Sequence, residues 1–167
     1  MTRTIDTERL HLRPYVASDA AAVAAQIGDF EVSRWLTRVP YPYTVSDALA
    51  FFDRVADVPL GFAVCREDAL LGCVSILGDD LGYWYGVSHW GQGYATEAAQ
   101  AAVGAYFEDN DAPLDSGFLS GNEGSQRVLE KLGFTPNGII ETDCMSRGLR
   151  VDNHRMRLTR TQWEGRS

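Results

Sequence analysis

The stretch HWGQGYATEA, residues 89–98, holds two glycines one residue apart, Gly91 and Gly93. It contains no Lys or Arg, and an alanine-rich helical run follows it. The first amides of a helix have no partner inside the helix and point out of its N-terminal end. With the helix dipole they form an anion site that needs no basic side chain. Gly91 and Gly93 remove side chains that would block close approach and are free to adopt positive φ. Ala95 is small where a ligand would pack against the first turn. The chemistry these residues suit is the holding of a phosphate or pyrophosphate by backbone N–H groups. Two other readings stand beside it: a strand-to-helix turn in which glycine serves geometry alone, and a dinucleotide site. The dinucleotide fingerprint needs a third glycine where Thr96 stands, and it opens a βαβ unit rather than following antiparallel strands.

The elements around this loop follow from periodicity and punctuation. Arg9 to Arg13 alternates polar and apolar and predicts a strand that stops near Pro14. Ser18 is positioned to cap a helix over Ala20–Ile27, with Gly28 as its stop. A short amphipathic piece runs from Glu31 to Leu36. Thr44 with Asp47 resembles a capping box and opens a helix to about Ala56. Gly61–Arg66 and Leu70–Leu77 read as a hairpin around Glu67 and Asp68. A turn at 78–80 leads to a third strand, Leu81–Val87, rich in aromatics (Tyr83, Trp84, Tyr85), and then to the loop and a helix over Tyr94–Phe107. Leu114–Leu119 is a short strand. Asn122 caps a helix ending at Leu132, with Gly133 as its terminator. Ile139–Met145 and Asn153–Thr159 are the last strands, with a turn at Gly148. The order β, α, α, β, β, β, α, β, α, β, β predicts mixed α/β with one central sheet.

The totals bound what such a chain does. At 167 residues it suits one domain over 1–167. Its net charge of −8 disfavours nucleic acid and accommodates a cationic partner more easily, although charge of this size also serves solubility alone. Cys65, Cys73 and Cys144 are an odd set without CxxC spacing, which argues against a disulfide framework or a zinc site and for buried small hydrophobes. No apolar run is long enough to span a bilayer, and the first residues lack the apolar core of a secretory signal. A cytoplasmic protein without a membrane partner is the expectation, as monomer or homodimer.

The run Gly82–Gly86 followed by Trp90-Gly91-Gln92-Gly93-Tyr94-Ala95-Thr96-Glu97-Ala98 resembles the acetyl-CoA loop of the GNAT N-acetyltransferases. It is most similar to the branch that contains RimJ and RimL. Three further stretches agree, in order: Thr7–Pro14 with that branch's opening strand, Asn122–Phe134 with its second cofactor helix, and His154–Arg160 with its last strand. The resemblance implies an α/β (α+β) fold: a mostly antiparallel central sheet flanked by helices, with a splayed central strand pair that binds acetyl-CoA. It implies a pyrophosphate on the amides of about Gly91 to Thr96 and a pantetheine arm along strand 81–87. The implied cofactor-binding residues are Tyr85, Gly86, Val87, Trp90, Gly91, Gln92, Gly93, Tyr94, Ala95, Thr96, Asn122 and Ser125. Trp90 stands where the wider family carries Arg or Gln. No metal is implied.

The implied reaction is acetyl transfer to a primary amine, of a protein N-terminus or a small molecule, by direct attack on the thioester. It needs a proton acceptor for the amine, donors for the developing oxyanion and a proton for the leaving thiolate. Ser125 is the candidate for the last role, since the helix has Leu129 about where many relatives carry Tyr. Ser125 also reads as a residue that caps the first turn, and Asn122 as its N-cap. RimL-like enzymes carry a Glu on the next strand. An ungapped count places Cys144 there, with Asp143 adjacent and Glu141 nearby, so Asp143 is the catalytic candidate. Glu31, His89 and a water chain remain open for the same role. Glu97 reads as structural. Two competing functions stay in view: a catalytically idle acyl-CoA-binding module, and a nucleotide-dependent oxidoreductase.

Overall fold

Thr44 and Asp47 cap one another: the Asp47 amide donates to Thr44 Oγ1 at 3.1 Å and the Thr44 amide to Asp47 Oδ2 at 2.8 Å. This reciprocal pair satisfies two amides the helix itself cannot. The computed structural model describes residues 3–166. Its elements are β1 (Ile5–Asp6), β2 (His11–Arg13), α1 (Ala20–Ile27), α2 (Phe30–Ser33), α3 (Val45–Val55), β3 (Leu60–Arg66), β4 (Ala69–Leu77) and β5 (Asp80–Tyr85). There follow α4 (Tyr94–Asp109), β6 (Leu114–Leu119), α5 (Glu123–Leu132), β7 (Thr135–Cys144), β8 (Leu149–Leu158) and α6 (Arg160–Gly165). No helix among the described residues is long and apolar enough to cross a membrane.

Eight strands form one sheet in the order β1-β2-β3-β4-β5-β6-β8-β7. Every neighbouring pair is antiparallel except β5 and β6, which run parallel and share a single register pair, Asp80 with Asp115. One step on, the buried Ser116 hydroxyl donates to the Leu81 carbonyl at 2.8 Å. Beyond that the two strands have no paired register, so the centre of the sheet is open toward the C-terminal ends of β5 and β6. This is the splayed pair the resemblance implies.

Two apolar layers cover the sheet. Leu12, Phe62, Val64, Val74 and Leu81 pack with Ala98, Ala102 and Val103 of α4, Leu129 and Leu132 of α5, and Trp163 of α6. Ala63, Cys65, Cys73 and Trp84 pack with Val23 and Ile27 of α1 and Ala48 of α3. Full burial of each large aliphatic side chain contributes roughly 1.5–3 kcal/mol. Ala98, Ala99 and Ala102 are fully buried, so α4 lies close on the sheet and its N-terminus opens where β5 ends. All three cysteines are free and buried.

Several elements differ from the sequence reading. Ser18 caps nothing: residues 17–19 form a 3-10 turn, and Asp19 accepts from the Val16 amide and, through both oxygens, from Arg13. A buried carboxylate requires those donors, whereas an exposed Ser does not. Gly28 keeps a right-handed φ of −63°. The first strand is interrupted because the Thr7 amide bonds the Leu10 carbonyl at 2.9 Å, which leaves Arg9 in a turn between β1 and β2. The third strand stops at Tyr85 and residues 87–89 make one 3-10 turn. The last strand ends at Leu158, beside the expected Thr159, and helix α6 follows it, unforeseen, started by a reciprocal cap between Thr159 and Gln162.

Candidate active site

The loop between β5 and α4 is shaped by two left-handed glycines, Gly91 at φ 72° and Gly93 at φ 81°. Gly93 is the N-cap of α4, and the first intrahelical bond runs from the Glu97 amide to its carbonyl at 3.1 Å. The amides of Tyr94, Ala95 and Thr96 therefore face outward without a helical acceptor. On β5, the Gly86 amide donates to Leu71 of β4 at 3.1 Å. Alternation turns the Tyr85 amide to the opposite edge, where β6 has parted. The Trp90 indole reaches back and donates to the Tyr85 carbonyl at 2.8 Å, fixing the loop against the strand end. Val87, Trp90, Gly91, Gln92 and Gly93 are exposed, Ala95 and Thr96 half-buried. Tyr94 differs: its ring is buried and its hydroxyl accepts from Arg66 at 2.7 Å, so only its backbone faces the loop.

The loop has no cation of its own, but the fold brings two. Arg9 donates to the Gln92 carbonyl at 2.9 Å and to Glu97 Oε2 at 2.7 Å, and its guanidinium lies over the Tyr94 ring at 4.7 Å. Glu97 also accepts from the Arg9 amide and the Thr7 hydroxyl. Burial alone would raise the Glu97 pKa; the hydrogen bonds from Thr7 and Arg9 outweigh it and hold it below the ordinary value. Glu97 is thus the anchor that clamps the β1–β2 turn to the helix start. Lys131, the chain's one lysine, joins Gly93, Thr96 and Gln100 around a surface cleft of roughly 590 Å³. Arg9 and Lys131 are far from the loop in sequence, and no local pattern announces either.

Across the open strand pair, Asn122 Oδ1 accepts from the Ser125 amide at 3.2 Å, the expected N-cap of α5. The Ser125 hydroxyl lies 2.8 Å from the Tyr83 hydroxyl, which also donates toward the Ser125 carbonyl at 3.3 Å. Burial pushes the Tyr83 phenol up to about 12, with the Ser125 bond opposing that rise. Tyr83 comes from β5 and Ser125 from α5, so the pair joins the strand to the second helix. The aromatic run of β5 was the only sign of this partner in the sequence. Tyr85 has a buried hydroxyl without a hydrogen-bond partner, and burial raises its pKa.

The candidate proton acceptors are scattered. Asp143 is exposed, its carboxylate 3.6 Å from Arg150 across the β7–β8 pair, and Glu141 is 3.6 Å from the same guanidinium. Cys144 is the inward neighbour, buried against the Arg34 and Leu36 carbonyls, because adjacent strand residues face opposite sides. Glu31 is exposed in α2, and His89 is half-buried in the 3-10 turn. Among the described residues, none of these four hydrogen-bonds Ser125 or Tyr83.

The family profile described as "Acetyltransferase (GNAT) domain" matches residues 9–135. The chain is similar to the "Uncharacterized N-acetyltransferase p20" of Bacillus licheniformis, 26% identical over 177 residues that cover 97% of this chain and 99% of that protein. Its fold is similar to that of Mycobacterium smegmatis RimJ solved with CoA-disulfide, with TM-score 0.77, 18% identity, and 92% and 83% of the two chains covered. It is also similar to the ribosomal-protein-S5-alanine acetyltransferase of Vibrio fischeri, with TM-score 0.78, 19% identity, and 96% and 98% covered.

Proposed function

The chain belongs to the GNAT acetyltransferases, and on that premise we propose that it moves an acetyl group from acetyl-CoA to a primary amine, of a small molecule or a protein N-terminus. The observation that carries the cosubstrate assignment is the N-terminus of α4, where Gly91 and Gly93 leave three outward amides beside the open edge of β5. Those amides suit a pyrophosphate. Lys131 suits a further phosphate at the same end, as a mobile point charge. The unpaired edge of β5 and the Asn122 side chain suit an amide-bearing arm.

Acetyl-CoA supplies the acyl carbon and a thiolate leaving group. The chain's residues supply positions and protons. The Tyr85 amide, turned to the open edge, donates to the carbonyl oxygen as charge builds on it. Ser125 Oγ, hydrogen-bonded to the Tyr83 hydroxyl at 2.8 Å, delivers a proton to sulfur as the C–S bond breaks, and the proton that the amine gives up to water returns through this pair, so that both hydroxyls end protonated. The raised phenol pKa keeps Tyr83 neutral, so it serves to orient the Ser125 hydroxyl and not to give up its proton for good. The amine loses its proton to water, since no carboxylate touches this pair. The likeness to an enzyme named for a ribosomal-protein alanine supports the protein N-terminus as one acceptor class. Calorimetry with CoA, followed by thiol release from acetyl-CoA over a panel of amines and N-terminal peptides, tests this reading. CoA binding with turnover on at least one amine is expected. Binding without transfer to any amine refutes the proposal.

A further inference from the structure

The segment after α2 docks on the β7–β8 turn. The Met145 amide donates to Thr37 at 3.0 Å, the Ser146 hydroxyl to the Ser33 carbonyl at 2.7 Å, and Arg147 Nε to the Arg34 carbonyl at 2.7 Å. Between the two segments stands Trp35. The guanidinium carbons of Arg34 and Arg147 each lie 4.8 Å from its ring centroid. The far edge of the indole lies over Gly121: a Cβ there would sit 3.5 Å from it. Gly121 directly precedes Asn122, the cap of the helix that carries Ser125.

Two features mark this corner. Among the described residues neither Arg34 nor Arg147 takes part in an ion pair, a lack they share with Arg38, Arg54, Arg66, Lys131 and Arg166, but here two such guanidiniums stack on one indole. And of the six buried side-chain polar atoms without a hydrogen-bond partner among the described residues, three belong to this corner: Ser33 Oγ, Arg34 Nε and Arg147 Nη2. All three can donate, so what is missing at this spot is an acceptor. The remaining guanidinium nitrogens, both Nη of Arg34 and Nη1 of Arg147, are neither buried nor bonded, and so present free N–H groups outward. A pair of unneutralised, half-desolvated guanidinium forks matches a planar or tetrahedral oxyanion.

We infer that Arg34 and Arg147 bind an anionic group, carboxylate or phosphate, carried by the amine acceptor. The inference rests on the acetyl-transfer reading above and narrows it. Acceptor choice is then set by the field at this corner and not by the acidic average surface, which alone would favour a cation. Trp35 holds both side chains in place and lies against the loop that leads to Ser125, so an acceptor anchored here by its anion directs its amine toward the open end of β5 and β6.

The experiment compares matched amines that differ in the anion alone: an amino acid against its amide, and an aminoalkyl phosphate against the corresponding amino alcohol. Wild-type kcat/KM is expected to favour one anionic member at least about 10-fold, a difference typical of one charge-assisted contact. Whichever pair shows the preference identifies carboxylate or phosphate. Arg147→Gln and Arg34→Gln should each raise KM for the anionic acceptor about 10-fold while kcat and KM for acetyl-CoA stay within about twofold. Arg147→Lys, which keeps the charge and the packing, should recover part of the loss. A second arm reads the site without turnover: titration with acetate and with inorganic phosphate, followed by the Gly121 and Trp35 amide resonances, should shift them in wild type and not in Arg147→Gln. Equal use of the neutral amines, or silent resonances in wild type, overturns the inference. If no amine of any kind is acetylated while the titration succeeds, it is the acetyl-transfer reading that has failed and the anion site that stands.

Discussion

Gly93→Ala tests the loop at its most constrained point. Gly93 has φ 81°, a conformation that costs a residue with a side chain roughly 1–2 kcal/mol. The new methyl would also lie 3.2 Å from Arg9 Nη2. That guanidinium could give way, but it is held by Glu97 Oε2 at 2.7 Å and by the Gln92 carbonyl at 2.9 Å. Yielding a few tenths of an ångström weakens those bonds, which adds up to about 1 kcal/mol. A loss of about 1–3 kcal/mol lowers the Tm of a chain of this size by roughly 2–12 °C. Gly91→Ala is the matched control. Its φ is 72° and nothing lies within 4 Å of the new methyl, so it carries the backbone cost alone. The gap between the two variants isolates the Arg9 contact, and in an Arg9→Ala background that gap should vanish. Scanning calorimetry reads the stabilities, and titration calorimetry reads CoA affinity, which should fall about 10-fold or more when a methyl crowds the outward amides. A Gly93→Ala protein that melts with the wild type refutes the strained cap. One that melts lower yet binds CoA unchanged refutes the amide cradle.

Other consequences follow from single contacts. Ser125→Ala and Tyr83→Phe should each lower kcat roughly 10²-fold with KM for acetyl-CoA nearly unchanged, and the double variant should be no slower than the slower single one, since one proton path is cut in either case; in the same assay Asp143→Asn should stay within about threefold, because that exposed carboxylate pairs with Arg150 alone. Lys131→Gln should weaken CoA binding about 3- to 10-fold at low salt with the difference fading at high salt, and CoA should shield the chain's one lysine from an amine-acylating reagent, read by mass spectrometry. Asp19 is buried, which alone would raise its pKa, but bonds from Arg13 and the Val16 amide hold it below the ordinary value. A depressed carboxylate contributes stability above its unfolded pKa of about 3.9 that is lost as pH falls through the lower folded value. Asp19→Asn should therefore lower Tm at pH 7 and flatten the fall in Tm between about pH 5 and pH 3.

What the sequence announced is local, and what it hid is distant. The Thr44–Asp47 cap, the turn at Glu67 and the glycines at 93 and 133 depend on neighbours within a few residues, and all stand where periodicity and punctuation put them. Helix α6 was legible too, since Thr159 and Gln162 have capping-box spacing, but the preceding strand pattern masked it. Ser18 makes no cap because the buried Asp19 sets the chain's path here through its bonds to Arg13 and the Val16 amide, and Arg13 sits on another element. The site is harder still. Arg9 reaches Gln92 across 83 positions, and Arg147 reaches Arg34 across 113. Such meetings are made by sheet order and helix packing, which composition and spacing do not encode. Tyr83 was visible as one aromatic among several; only the seating of α5 against β5 selects it for Ser125.

The single rung between Asp80 and Asp115 also divides how the chain can vary. β1 to β5 form one antiparallel meander, and β6, β8 and β7 form a second antiparallel unit. Elsewhere a one-residue slip inverts every side chain of a strand and propagates to its neighbour. At the open join there is almost no ladder to transmit it. Length changes in the β5–α4 loop or before β6 are absorbed without shifting the register of either half. The gap that leaves room for a ligand thus also uncouples strand register between the two halves, while the apolar layer under α4 and α5 still holds them in one core.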